Sequence, residues 1–166
     1  MTRSGRLVSI VREAFRVAQQ ERPGPVHLEL PEDIADETTL AIAPVPPHPI
    51  DWPIAPRAAL DRAAALILKA DLPLVMLGAA ASRPHLADSL SNFVMRLQVP
   101  FFNTQMGKGS VAGGSGLYMG TAALSERDYV HWAIDRADLI IAIGHDTVEK
   151  PPFIMGPKGP DRKSVV

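Results

Sequence analysis

With 166 residues, 46% of them hydrophobic, and 17 Lys+Arg against 18 Asp+Glu, the chain has the make-up of a globular domain with net charge −1. That balance excludes the broad basic footprint that nucleic acid or an anionic membrane surface requires. The absence of cysteine removes disulfides, thiolate nucleophiles and cysteine-held metals together, and fits a cytoplasmic location without requiring it; runs as short as Leu139–Ile143 cannot span a bilayer, so a soluble protein is expected.

From Gly5 to Gln20, Leu7, Val11, Ala14, Phe15 and Ala18 recur at helical spacing among charged residues, which predicts an amphipathic helix. Pro23-Gly24-Pro25 stops it. Val26 to Leu30 alternates with period 2 and predicts a short strand closed by Pro31. One helix and one strand cannot build a core; they read as the tail of a domain whose other strands lie elsewhere. The helix, without its sheet, is expected to drive self-association through its apolar face.

Six of the 16 prolines fall between Pro44 and Pro56, and that stretch has too few backbone donors for a ladder, so it predicts an extended linker tacked down by Trp52. Strand–helix alternation follows. Ala58–Ala70 predicts a helix with Leu60, Ala64, Ile67 and Leu68 on one face. Pro73–Leu77 is a continuous apolar run ending at Gly78, as in a buried parallel strand. A helix starts at Ser82-Arg83-Pro84, with Leu86, Leu90, Phe93, Val94 and Leu97 inward. Val99–Phe102 is the next strand. Half of the 12 glycines then lie between Gly107 and Gly120, a loop that must come close to something. Ser125 to Asp128 has the form of a capping box, opening a helix with Val130, Ala133, Ile134 and Ala137 inward. Leu139–Ile143 is the strongest strand, and Ser164–Val166 begins another. The fold class is α/β, a Rossmann-like three-layer parallel sheet with helices on both faces.

Ligands of such a sheet sit beyond the carboxyl ends of the strands. Three loops qualify. Gly78 to Ser82 has small residues that let a phosphate approach backbone amides, but it is not GxGxxG and a tight structural turn between strand and helix reads equally well. In the second, Gly107 and Gly109 flank Lys108, which could face an anion; the spacing is not that of a P-loop, and by spacing alone a mobile glycine loop with a solvated lysine is preferred. In the third, His145 beside Asp146 invites a metal or general-base reading. Adjacent residues seldom chelate one ion, and Glu149 alone remains as a third ligand, so contact to a ribose or adenine, or loop hydrogen bonding, is the preferred reading. His27, His48, His85 and His131 read as structural or solvated. No catalytic constellation and no metal site is predicted.

The run Val11 to Ala18, then Glu21-Arg22-Pro23-Gly24-Pro25-Val26-His27-Leu28-Glu29-Leu30-Pro31-Glu32-Asp33, resembles the end of the pyrimidine-binding domain of thiamine-diphosphate enzymes of the acetolactate synthase group. The resemblance continues through Thr104 to Gly109, Leu117 to Gly120 and Ala137 to Gly144. It implies a pyrimidine-domain tail over residues 1–36, a proline-rich linker over 37–56 and a Rossmann-like middle domain over 57–166, truncated at its C-terminus. It also implies that the activating glutamate and the magnesium and diphosphate motif lie outside this chain, which alone should be inactive. The parent would decarboxylate pyruvate and ligate it to a second 2-keto acid, as a homo-oligomer whose remaining domains are this chain's partners.

Some relatives hold FAD or ADP in the middle domain, and the resemblance places that site at Gly78, Ala79, Ala80, Met106, Gly107, Lys108, Gly109, Met119, Gly120, Thr121, Gly144, His145 and Asp146. The FAD-binding members carry an arginine-rich run where this chain has Gly144-His145-Asp146-Thr147-Val148-Glu149, and loss of those arginines removes partners for the phosphates. Three alternatives stand beside this reading: a free-standing nucleotide-binding module, a non-catalytic structural domain that serves only assembly, and a fragment of a related enzyme such as glyoxylate carboligase or benzoylformate decarboxylase.

Overall fold

The computed structural model describes residues 4–38, 43, 45–46, 52–112, 114, 116–122, 128–149 and 163–165. The chain divides into two compact units, Met1–Ile54 and Ala55–Val166.

In the first unit, α1 spans Leu7–Gln19, after a 3-10 turn at Ser4–Arg6, and a short α2 spans Glu32–Ala35. None of the residues of α1 is buried. Val26 to Leu30 carries no ladder among the described residues, so the strand expected there is not formed. Alternation supplies a face, whereas a strand also needs a partner for its amides. Val26 and Leu28 instead line an open groove with Ile10, Ala14 and Val17 of α1. Residues 44 and 47–51 of the proline-rich stretch lie outside the described residues, and Trp52 is 44% exposed.

The second unit is a five-stranded, wholly parallel sheet. Its strands are β1 (Pro73–Leu77), β2 (Phe101–Thr104), β3 (Tyr118–Ala122), β4 (Leu139–Ile143) and β5 (Lys163–Val165), in the order β3-β2-β1-β4-β5. The helices are α3 (Arg57–Lys69), α4 (Ala87–Leu97) and α5 (Tyr129–Arg136). Alternate residues of each strand feed opposite faces. Val75, Leu77, Phe101, Leu139 and Ile141 pack with Leu90 and Val94 of α4 and with Leu66 and Ile67 of α3. Leu74, Met76, Phe102, Ile140 and Ala142 pack with Val130, Ile134 and Ala137 on the α5 side. The Rossmann-like three-layer arrangement expected from the sequence is therefore present.

Several local expectations are corrected. The predicted face of α3 is only partly the one that packs: Ile67 goes inward as expected and Leu66 joins it, whereas Leu60 and Leu68 are exposed. Two 3-10 turns, Ala79–Ser82 and Pro84–Leu86, precede α4, so the helix proper starts five residues after Ser82. The glycine-rich stretch ends in β3, which the periodicity did not disclose. Helix α5 is capped by Asp128, whose carboxylate accepts from Val130 N and His131 N; Ser125 to Arg127 lie outside the described residues.

Asp138 ties the loop before β1 to the start of β4. Its carboxylate accepts the amides of Asp71 (2.8 Å) and Leu72 (2.9 Å). These backbone donors, Asp71 first, hold its carboxyl below the usual carboxylate range. A lowered folded pKa contributes stability above the unfolded value of about 3.9, and that contribution disappears as pH falls through the folded value. Asp138→Asn should therefore lower the melting temperature at pH 7, and the deficit should shrink below about pH 4. A melting series from pH 7 to pH 3 reads it, and a pH-independent deficit refutes the ionic contribution.

Candidate functional site

In the strand order β3-β2-β1-β4-β5 the connections reverse between β1 and β4. At that switch point the carboxyl ends of an open α/β sheet leave a crevice for ligands. Three loops meet there: Gly78–Ser82 after β1, Gln105–Gly109 after β2, and Gly144–Glu149 after β4.

In this chain the loops close on one another. Gly78 N donates to Ile143 O and Ala80 N to Gly144 O, each at 2.9 Å. A Cβ on Gly78 would lie 2.5 Å from His145 Cα, and one on Gly107 would lie 2.9 Å from Gly78 O and overlap Leu77 O. Gly144 has φ +64°, and a Cβ there would lie 2.7 Å from Ala80 C. Side chains essentially never approach backbone so closely. The glycines serve the contact of backbone with backbone, and that is what the glycine-rich loop comes close to.

The Glu149 carboxylate completes the junction. Its Oε1 accepts the amides of Ala79 and Asp146, both at 2.9 Å, and its Oε2 accepts the Thr104 hydroxyl. One carboxylate thus ties the loops after β1, β2 and β4. Thr104 Oγ1 in turn accepts from Gly107 N, whose carbonyl accepts the Ser110 hydroxyl at 2.6 Å.

The sequence-derived site residues separate into groups. Gly78, Ala79, Ala80, Gly107, Gly144, His145 and Asp146 do come together at the junction. Met106, Lys108 and Gly109 belong to the same loop and face solvent. Met119 does not join them: it packs on the α5 side and lines a groove with Pro73, Val99, Pro100 and Trp132, at the opposite ends of the strands. Gly120, at φ +110°, makes room for the Tyr129 ring. Thr121 donates to Asn103 Oδ1 at 2.7 Å, within the sheet.

His145 is half-buried, and its Nε2 is shielded without a hydrogen-bond partner among the described residues. Asp146 is taken up in its own turn, its Oδ1 accepting Val148 N at 3.2 Å. Among the described residues no group of three His, Cys, Asp or Glu side chains could hold a metal ion. With both Glu149 oxygens engaged, a His145–Asp146–Glu149 metal site is not formed. His131, whose Nδ1 lies 2.7 Å from Asp128 Oδ1, is buried in a capping role. Sequence reasoning missed Glu149 and Thr104 as the closing pair, since no spacing signal connects residues 45 positions apart.

Residues 60–157 match the family described as thiamine pyrophosphate enzyme, central domain. The chain belongs to that family. Central-domain relatives include the acetolactate synthase large subunit of Parasynechococcus marenigrum, 35% identical over 83% of this chain and 23% of the relative. The catabolic acetolactate synthase of Raoultella terrigena is 31% identical over 92% of this chain and 27% of the relative. A solved structure of a candidate thiamin diphosphate-dependent enzyme from Mycobacterium smegmatis superposes with a TM-score of 0.74. It is 25% identical and matches 99% of this chain and 32% of its own. The chain thus spans about a quarter of the curated relatives it matches. The central domain of this family is the three-layer unit described above. No helix among the described residues is long and apolar enough to cross a membrane.

Proposed function

We propose that this chain is the connecting portion of an acetolactate synthase-type enzyme, which decarboxylates pyruvate and ligates it to a second 2-keto acid in branched-chain amino acid biosynthesis. The observation that carries this is the run of similarity to acetolactate synthases across both units, including 92% of the chain in one relative. A free-standing nucleotide-binding module would leave the first unit, with no buried residue in α1, without a purpose.

In this reading the chain positions other domains rather than reacting itself. Thiamine diphosphate supplies the electron sink for decarboxylation, and it is held with magnesium by residues outside this chain. No residue described here fits a magnesium–diphosphate site: the acidic side chains form no metal-holding group, and the Glu149 carboxylate is spent on backbone amides. The remaining domains cover α1 and the Val26–Leu30 segment, and the parent assembles as a cytoplasmic homo-oligomer. Of the thirteen residues the resemblance assigns to a nucleotide, the seven at the β1/β4 junction are the ones that share a single place in the fold.

The test is to assay this 166-residue chain beside the longest reading frame that contains it. Acetolactate formation from pyruvate, dependent on added thiamine diphosphate and magnesium, is expected of the long product and not of the chain alone. Turnover of a different 2-keto acid by the long product, or turnover by the chain alone, overturns the proposal.

A further inference from the structure

The middle domains of some relatives take FAD or ADP, and the junction at β1 and β4 is where such a ligand would meet this fold. The residues present do not fit it. A phosphate in an α/β crevice needs free backbone amides at the start of the segment after a strand, and room between the loops. Here the amides of Ala79 and Asp146 both point at Glu149 Oε1. The Ala80 amide is spent on Gly144 O and the Gly78 amide on Ile143 O. The loops touch so closely that no Cβ fits at Gly78 or Gly144.

We infer that Glu149 is a built-in anion that holds the place of a phosphate and closes this crevice to phosphate-bearing nucleotides. A carboxylate and a phosphate oxygen make the same demand, that N–H and O–H groups donate to them. Glu149 meets that demand from within the chain, at no cost in ligand ordering. A nucleotide phosphate would have to displace it, and would meet an ionised carboxylate beside it. The inference concerns the crevice alone and holds whichever 2-keto acid the parent uses.

The experiment titrates the intact chain with ADP, FAD and inorganic pyrophosphate, and follows the amide resonances of Ala79, Ala80 and Asp146. In the unaltered chain these amides should stay still up to about 1 mM ligand, even if a nucleotide docks elsewhere. Saturable movement of those amides with ADP or FAD in the unaltered chain overturns the inference. Glu149→Ala should bind pyrophosphate at least tenfold more tightly than the unaltered chain and shift the Ala79 amide. Thr104→Val, which leaves the carboxylate over the amides, should gain nothing. If Glu149→Ala does not fold, Glu149→Gln keeps the shape, loses the charge and is expected to gain part of the same affinity. A folded variant that binds no better than the unaltered chain overturns the inference.

Discussion

Gly144→Ala is expected to destabilise the second unit by about 3 kcal/mol or more. Two costs combine. The left-handed φ of +64° costs a residue with a Cβ roughly 1–2 kcal/mol, and overpacking a close junction typically adds about 1–3 kcal/mol. The added methyl would overlap the backbone of Ala80 and Ala81, where the loop after β1 has no freedom to withdraw because Ala80 N is bonded to Gly144 O. Gly109→Ala separates the two costs. Gly109 has φ +90° but open space around its Cβ position, so backbone strain alone remains, worth about 1–2 kcal/mol. Denaturant unfolding of both variants reads the difference. Equal losses would mean that the loops part easily and the junction is not closed.

That comparison also shows what a sequence can disclose about this domain. Leu139–Ile143 and Pro73–Leu77 were legible because strands buried on both faces are continuous apolar runs, and each ends at a glycine. Tyr118–Ala122 was not legible. It is an edge strand, four of its five residues are only partly buried, and it contains a glycine at positive φ where its register with β2 shifts. An edge strand needs only one neighbour, so its composition is weakly constrained. Val26–Leu30 is the converse case. Its alternation was clear, but the partner that would make it a strand is not among the described residues.

The junction was half legible. Gly78, Gly107 and Gly144 stood out as positions after strands, and they are the positions where backbone meets backbone. The sequence left a ligand and a tight structural turn equally open at Gly78, because a glycine that admits a phosphate and one that admits a neighbouring loop look alike in one dimension. Glu149 could be read only as a leftover metal ligand. Its partners Ala79 and Thr104 lie 70 and 45 positions away, and the parallel sheet alone brings them together. The predicted stripe of α3 held at Ile67 but not at Leu60 and Leu68, for a related reason. In an Ala-rich helix several faces are equally apolar, and contact with the sheet selects Leu66 and Ile67 over Leu60 and Leu68.

Phe101→Ala carries the other large effect, an expected loss of about 4 kcal/mol, within the usual range for removing a buried aromatic side chain. Phe101 has no exposed surface and belongs to the cluster shared by β1, β4, α3 and α4. Its ring also meets that of Tyr118 at 5.3 Å between centroids, with the planes tilted by 36°, a contact worth about 0.5–1.5 kcal/mol beyond burial. Truncation therefore empties a core position and unseats the edge strand. Tyr118 holds its hydroxyl near Asn103 Oδ1 and Thr121 Oγ1, so the loss should spread into the carboxyl end of β3. Domains of ordinary stability have about 5–15 kcal/mol in hand, and one substitution here consumes much of it. Leu68→Ala, at a residue 86% exposed, should change stability by no more than about 0.5 kcal/mol. Denaturant midpoints of the two variants, at unchanged slope, make the comparison. A Leu68 effect as large as that of Phe101 would restore the helix face read from the sequence and place the core on the wrong side of α3.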